Sequence, residues 1–137
     1  MISVILGNKG SGKTKKIIDL CVKATAASKG NVVFIEKDNT LTYDLSYKTR
    51  LVAADEYGIS GYENLYGFIA GMCAGDYDIT DIFVDSTLKI GGRDYGQLAA
   101  FLERLKDLAV KIVLTVSADK EELPAVIAEY AAPLANA

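Results

Sequence analysis

The sequence has very few of the side chains that most metal and disulfide sites require. It contains no histidine and only two cysteines, Cys21 and Cys73, which lie far apart. A zinc site built from histidine and clustered cysteines is therefore not expected. Each cysteine falls in a helical pattern, so we expect two buried, reduced thiols rather than a disulfide.

Long apolar runs and an excess of positive charge are also missing. No run approaches the roughly 20 apolar residues that cross a bilayer, and the first residues lack the pattern of a signal peptide. The formal net charge is −3, whereas an obligate nucleic-acid binder usually has a basic face. We therefore expect a cytoplasmic protein with no membrane span and no obligate nucleic-acid partner.

Half of the 137 residues are apolar, which is enough to build one core in a chain of this length. We expect a single domain over residues 1–137, with residues 131–137 as a frayed tail. The apolar patterns predict strands over residues 2–6, 31–37, 50–55, 81–86 and 111–117. They predict helices over residues 13–28, 62–75, 98–108 and 120–131. Asp119 or Ser117 is the expected cap of the last helix, and Pro124 is expected in its first turn.

This alternation of strands and helices is typical of an α/β fold. Continuous apolar strands such as ISVIL (residues 2–6) are expected where a parallel sheet is covered on both faces. Right-handed crossovers then place helices on the two sides. The sequence predicts a mostly parallel sheet of about five strands between two layers of helices.

The most specific motif directly follows the first predicted strand. Residues 7–14 read GNKGSGKT and match the spacing G-x-x-x-x-G-K-[S/T] of a P-loop. In such a loop, backbone N–H groups and the next helix's N-terminus bind phosphate, the lysine reaches the β- and γ-phosphates, and the threonine hydroxyl binds Mg²⁺. The predicted nucleotide-binding residues are Gly7, Asn8, Lys9, Gly10, Ser11, Gly12, Lys13 and Thr14. Lys13 is also predicted to be catalytic, and Thr14 to be a metal ligand.

An acidic partner for the metal is expected at the end of another strand. DIFVDS brings Asp85 to the carboxyl end of a buried strand, where ligands of open α/β sheets bind. A carboxylate there can hold Mg²⁺ through water, as a Walker B aspartate does. The alternative is an ordinary aspartate that begins a loop. We predict Mg²⁺ with ATP as the bound cofactor and substrate.

Hydrolysis also needs a group that orients or deprotonates water. Many P-loop ATPases place a glutamate directly after the Walker B aspartate, but Ser86 occupies that position. Glu36 ends the strand-like NVVFIE and is the candidate that could face the γ-phosphate, with Asp38 as the neighbouring option. The alternative is that both are solvated charges at a strand end.

Four segments together resemble the RecA/KaiC-like ATPase core: GNKGSGKT, VVFIEKD, IFVDS and VLTVS, in this order. The resemblance covers residues 1–118 and implies a three-layer P-loop NTPase fold. It implies that Glu36 is the catalytic glutamate and that Thr115 or Ser117 is a polar sensor. The chain has no room for that family's long DNA-binding loops, so recombinase activity is not expected.

A second glycine-rich segment, GGRDYG, follows Asp85 and holds Arg93. Arg93 is a candidate arginine finger, in its own site or in that of a neighbouring subunit; the alternative is an exposed surface turn. Four tyrosines are candidates for stacking on a base, although two of them have the helical spacing of core residues. They are Tyr57, Tyr62, Tyr66 and Tyr95.

Three functional classes remain open. The first is a slow, Mg-dependent ATP hydrolase of RecA-like type, active alone or only as a homo-oligomer or with a larger protein partner. The second is a nucleotide-binding switch or scaffold, with ATP and ADP as its ligands and no significant turnover. The third is a small-molecule kinase of nucleoside type, which the three scattered arginines (Arg50, Arg93 and Arg104) make the weakest candidate.

Overall fold

The computed structural model describes residues 1–39 and 44–135, with the backbone alone for residues 132–135. The strands are β1 (Ile2–Leu6), β2 (Asn31–Glu36), β3 (Thr49–Ala53), β4 (Ile79–Val84) and β5 (Lys111–Val116). The helices are α1 (Lys13–Ala27), α2 (Tyr62–Gly75), α3 (Thr87–Gly91), α4 (Tyr95–Leu105) and α5 (Ala125–Ala135). Two short 3₁₀ helices lie at Ala54–Tyr57 and Lys120–Glu122.

The described residues form one five-stranded sheet in the order β1-β5-β4-β2-β3, and every pair of neighbours is parallel. The first strand pairs with the last, so that Ile2 lies opposite Ile112. The predicted α/β class with a parallel sheet of about five strands is therefore confirmed. β5 separates β1 from β4, which places the end of β5 between the glycine-rich loop and Asp85.

Successive strand residues point to opposite sides of the sheet. Since apolar residues occur in both sets, both faces are covered by helices. On one face α1 covers a smaller cluster. It consists of Ile5, Ile17, Cys21, Val32, Phe34, Phe83 and Val113. On the other face α2, α4 and α5 pack over a larger cluster, with Leu65, Leu102 and Ile127 as fully buried members. The two layers of helices agree with the predicted arrangement.

The strongest amphipathic pattern forms α4 as predicted. Leu98, Phe101, Leu102 and Leu105 are all buried on one side of this helix. The carboxylate of Asp94 caps its first turn by accepting a hydrogen bond of 3.0 Å from the backbone N–H of Gln97.

The single helix predicted over residues 120–131 is wrong, because the segment is split. Lys120–Glu122 forms a 3₁₀ helix with a reciprocal capping box between Asp119 and Glu122. Leu123 is extended (φ −97°, ψ 147°), as expected for a residue whose helical conformation the following Pro124 disfavours. α5 therefore begins only at Ala125 and continues to Ala135. Pro124 precedes α5, and Asp119, not Ser117, caps the 3₁₀ helix.

The predicted fraying of residues 131–137 stays a prediction, and residues 136–137 lie outside the described residues.

Within the described ranges, no helix is both long and apolar enough to span a membrane. Cys21 lies on α1 and is fully buried between this helix and the sheet, Cys73 is partly buried, and neither forms a disulfide. Burial raises the pKa of the Cys21 thiol to about 11, so little of it is the reactive thiolate near neutral pH.

We expect Cys21 to resist alkylation until the protein unfolds. In a Cys73→Ser variant, iodoacetamide at about pH 8 should modify the native protein at least tenfold more slowly than the same protein in urea. Intact mass spectrometry over time measures both rates. Equal rates would show that α1 does not cover its face of the sheet in solution.

Candidate functional site

Three buried polar side chains form a row where the strands end. Glu36, Asp85 and Thr115 are 3 %, 5 % and 1 % exposed. Each lies two residues beyond a sheet residue that packs in the cluster under α1: Phe34, Phe83 and Val113. These three are aligned across β2, β4 and β5. The alternation of strand residues therefore places the row on the face that α1 covers, beside the first turn of that helix.

Asp85 is held at the centre of this row by two hydroxyl groups. Thr14 donates to its Oδ2 at 3.1 Å, and Thr115 donates to its Oδ1 at 2.6 Å. The Thr115 hydroxyl in turn accepts a 2.8 Å hydrogen bond from the backbone N–H of Ser86. Because both oxygens are engaged, the carboxylate has one defined orientation, with Oδ2 towards the start of α1.

The glycine-rich loop (residues 7–14) connects β1 to α1. Gly10 and Gly12 have φ angles of 85° and 90°, a left-handed conformation that side chains disfavour. The turn is closed by a 3.0 Å hydrogen bond from the Ser11 N–H to the Asn8 carbonyl. The Asn8 side chain also donates to Asp119 Oδ1 at 2.8 Å. The loop is thereby attached to the segment that follows β5.

Lys13 extends back over this loop from the first turn of α1. Its Nζ donates to the Asn8 carbonyl at 3.0 Å, and the residue is 9 % exposed. Burial lowers the pKa of Lys13; the negative charge of Asp85 opposes this shift, and the positive charge of Lys89 adds to it. An anion bound beside Lys13 would favour its charged form.

Two cavities meet at this group of side chains. The first, of about 610 Å³, is lined by the glycine-rich loop, by Lys13, and by side chains of α3 and β5, including Lys89 and Thr115. The second, of about 440 Å³, contains Glu36, Lys37 and Asp38. Both are lined by Thr14, Asp85, Ser86 and Lys89. The volumes are in the range of ligand pockets.

The candidate residues that the sequence left open at the strand ends differ in their contacts and burial. Of the two candidate sensors, Thr115 contacts Asp85, whereas Ser117 only lines the first cavity. Glu36 is buried beside Asp85, and Asp38 lines the same second cavity but is exposed. The backbone N–H of Asp85 donates to the carbonyl of Ile35 at 2.9 Å, which fixes the ends of β2 and β4 next to each other.

Arg93 lies at the candidate site, whereas the four candidate tyrosines do not. Arg93 lines the first cavity, with no hydrogen bond or ion pair to any residue in the part of the chain that the structure describes. Tyr62 and Tyr66 belong to the core region, as their spacing indicated: the Tyr62 hydroxyl donates to the Gly92 carbonyl at 2.7 Å, and the Tyr66 ring lies 3.8 Å from the Arg104 guanidinium carbon. None of the four tyrosines lines either cavity at Asp85.

Two features of the site were not predicted. One is the bond between Asn8 and Asp119, which requires knowing that β1 and β5 are neighbours. The other is Lys89, which lines both cavities. Its position four residues after Asp85, which was expected at the ligand-binding edge of the sheet, is a sequence signal that could have identified it.

No model of a known protein family matches the chain, and no curated protein matches it significantly. Function is therefore inferred from the residues of the site and their geometry.

Proposed function

We propose that the chain binds Mg-ATP through a P-loop at residues 7–14 and hydrolyses it slowly, as a minimal ATPase of RecA/KaiC-like type. The observation that supports this most directly is the 3.1 Å hydrogen bond between the Thr14 hydroxyl and the Asp85 carboxylate. It joins the last residue of the loop motif to an acidic residue 71 positions away. A glycine-rich turn with no ligand would not need this pairing.

The residues at this position fit Mg²⁺. Thr14 and Asp85 present two oxygen atoms, the ligand type that Mg²⁺ prefers, and Mg²⁺ commonly takes its remaining ligands from water and substrate phosphates. The Thr115 hydroxyl fixes the second Asp85 oxygen, which leaves Oδ2 and Thr14 for the metal. When bound, Mg²⁺ would neutralise charge on the β- and γ-phosphates.

The surrounding side chains have separate proposed roles in phosphate binding and in water activation. The loop N–H groups and the Lys13 ammonium bind the phosphates in the first cavity. Glu36, in the adjoining cavity, orients the attacking water and accepts its proton. Thr115 is the proposed sensor, which is supported by its hydrogen bond to Asp85 and by its position in the cavity that the loop also lines.

A nucleotide-binding switch without significant turnover is the second candidate. Ser86 is the one non-glycine residue with a positive φ angle, 60°, among those that the structure describes. Such strained backbone is concentrated at functional sites and switch regions. Ser86 lies between Asp85 and α3, so the binding or loss of a metal at Asp85 could change the position of α3. Measurable phosphate release would favour the hydrolase, and its absence together with ATP binding would favour the switch.

We expect Asp85→Asn to weaken binding of Mg-ATP much more than binding of metal-free ATP. Asparagine keeps the size of the aspartate, and its one amide oxygen can still accept the hydrogen bond from Thr115, but it removes the charge that attracts the metal. The expected loss is about tenfold or more for Mg-ATP and no more than about twofold for ATP in EDTA, measured by calorimetry.

The matched control is Asp107→Asn, because Asp107 is exposed and lies outside both cavities. This variant should bind like wild type. An equal loss for both nucleotide forms in Asp85→Asn would make Asp85 a structural residue. No binding of ATP by the wild-type protein would reject the proposed function as a whole.

A further inference from the structure

Lys89 lies at the border of the two cavities, on a segment whose backbone is positioned by buried neighbours and hydrogen bonds. Its neighbours Leu88 and Ile90 are buried in the larger core cluster, and the Ile90 carbonyl accepts a 2.9 Å hydrogen bond from the Gly61 N–H. α3 begins directly after Ser86, whose N–H is bonded to Thr115. The Lys89 side chain is exposed, but the helix that carries it is anchored on both sides.

Within the described residues, neither a hydrogen bond nor an ion pair involves the Lys89 side chain. Some cations of the chain are paired with carboxylates, among them Lys37 with Asp55 and Arg104 with Glu63. In contrast, Lys89 and Arg93 are unpaired in the part of the chain that the structure describes, and both line the first cavity. Lys89 and Lys13 both line the first cavity. Two like charges that face one cavity repel each other, and an anion between them would remove that cost.

The position of this anion follows from the site proposed above. Lys13 and the loop hold one end of the triphosphate in the first cavity, and Glu36 lies in the second. Thr14 and Asp85, the proposed metal residues, line both cavities, so the phosphate that is to be cleaved must come to their border. Lys89 lines both cavities at that border, whereas Arg93 lines only the first.

We propose that Lys89 binds the γ-phosphate of ATP in its own chain and so makes the site prefer nucleoside triphosphate to diphosphate. This inference rests on the proposed function. It assigns to Lys89 the charge compensation that the sequence suggested for Arg93. It needs no neighbouring subunit, because Lys89 reaches the border from the same chain.

The test compares Mg-ADP with the Mg complex of the non-hydrolysable analogue AMP-PNP, by calorimetry at low salt. Lys89→Ala should weaken AMP-PNP binding about tenfold and change ADP binding by less than about twofold. Lys89→Arg, which keeps the charge, should retain most of the preference for triphosphate. Lys23→Ala is the matched control, because Lys23 is exposed on α1 and lies outside both cavities.

Each result of the binding measurements either supports or overturns the proposed role of Lys89. Equal weakening of both nucleotides by Lys89→Ala would make Lys89 a general source of positive charge and overturn the proposal. Unchanged binding of both would overturn it too, while leaving the proposed function in place. If the wild-type protein binds neither nucleotide, the proposed function fails, and the inference fails with it. Circular dichroism of each variant confirms that the exposed substitutions leave the fold intact.

Discussion

Replacing Glu36 with glutamine should reduce ATP turnover by about 10²-fold or more, while ATP still binds. Glutamine has the shape of glutamate but cannot accept a proton. Glu36 is buried at the end of β2, in register with Asp85 and Thr115 at the ends of the adjoining strands, and it lines the cavity that also contains Thr14 and Asp85. The measurement is phosphate release from Mg-ATP over a range of protein concentrations, because activity that depends on assembly would rise with concentration.

Asp38→Asn is the matched control for this prediction. Asp38 lines the same cavity but is exposed, so its loss should change turnover only slightly. If Glu36→Gln hydrolyses ATP at the wild-type rate and Asp38→Asn does not, Asp38 is the residue that activates water. If neither change matters in an active preparation, the RecA-like catalytic assignment is wrong, and the switch becomes the better proposal.

Lys13→Ala should weaken Mg-ATP binding about 30- to 150-fold, equivalent to the loss of about 2–3 kcal/mol for a charge-assisted contact in a buried site. Lys13 is almost fully buried, and its Nζ already lies 3.0 Å from a loop carbonyl, so its position needs little adjustment to contact a phosphate. Calorimetry on the wild type and the variant measures the difference.

Lys9→Ala tests whether the effect of Lys13 is specific. Lys9 lies in the same loop and lines the first cavity, but it is exposed. Its removal changes the net charge by the same amount as that of Lys13, so the two variants separate a general electrostatic effect from a direct contact. We expect Lys9→Ala to weaken binding by no more than about threefold. Equal affinities of Lys13→Ala and wild type for Mg-ATP would contradict the P-loop assignment.

The positions of Glu36 and Asp85 could be anticipated from the sequence because they depend on local rules, whereas Thr115 or Ser117 was expected only from the resemblance to the RecA/KaiC-like core. Glu36 and Asp85 each end an apolar run, and the ends of parallel strands meet at one edge of a sheet. The choice of Thr115 over Ser117 could not be made in this way. Both lie on the same face by alternation, and only the end of β5 at Val116, together with the position of β4, decides which one reaches Asp85.

Other features depended on competition between local signals or on contacts distant in sequence. The apolar residues before and after Pro124 continue a helical pattern, but the steric effect of proline on Leu123 ends the first turn and separates the two helices. α3 has only five residues, too few for a periodic pattern to be recognised. The bond between Asn8 and Asp119 links residues 111 positions apart, so only the order of the strands reveals it.

The position of β1 in the sheet has a consequence for the order of events during synthesis. In the described sheet, β1 hydrogen-bonds only to β5. Ile2 pairs with Ile112, which is synthesised 110 residues later, so β1 cannot pair before then. The glycine-rich loop shares this delay, because Asn8 is bonded to Asp119. Pairings so distant in sequence form slowly and late. The residues of the loop are translated before those of β5, yet the proposed nucleotide site cannot be completed on the nascent chain before the residues of β5 and Asp119 have emerged.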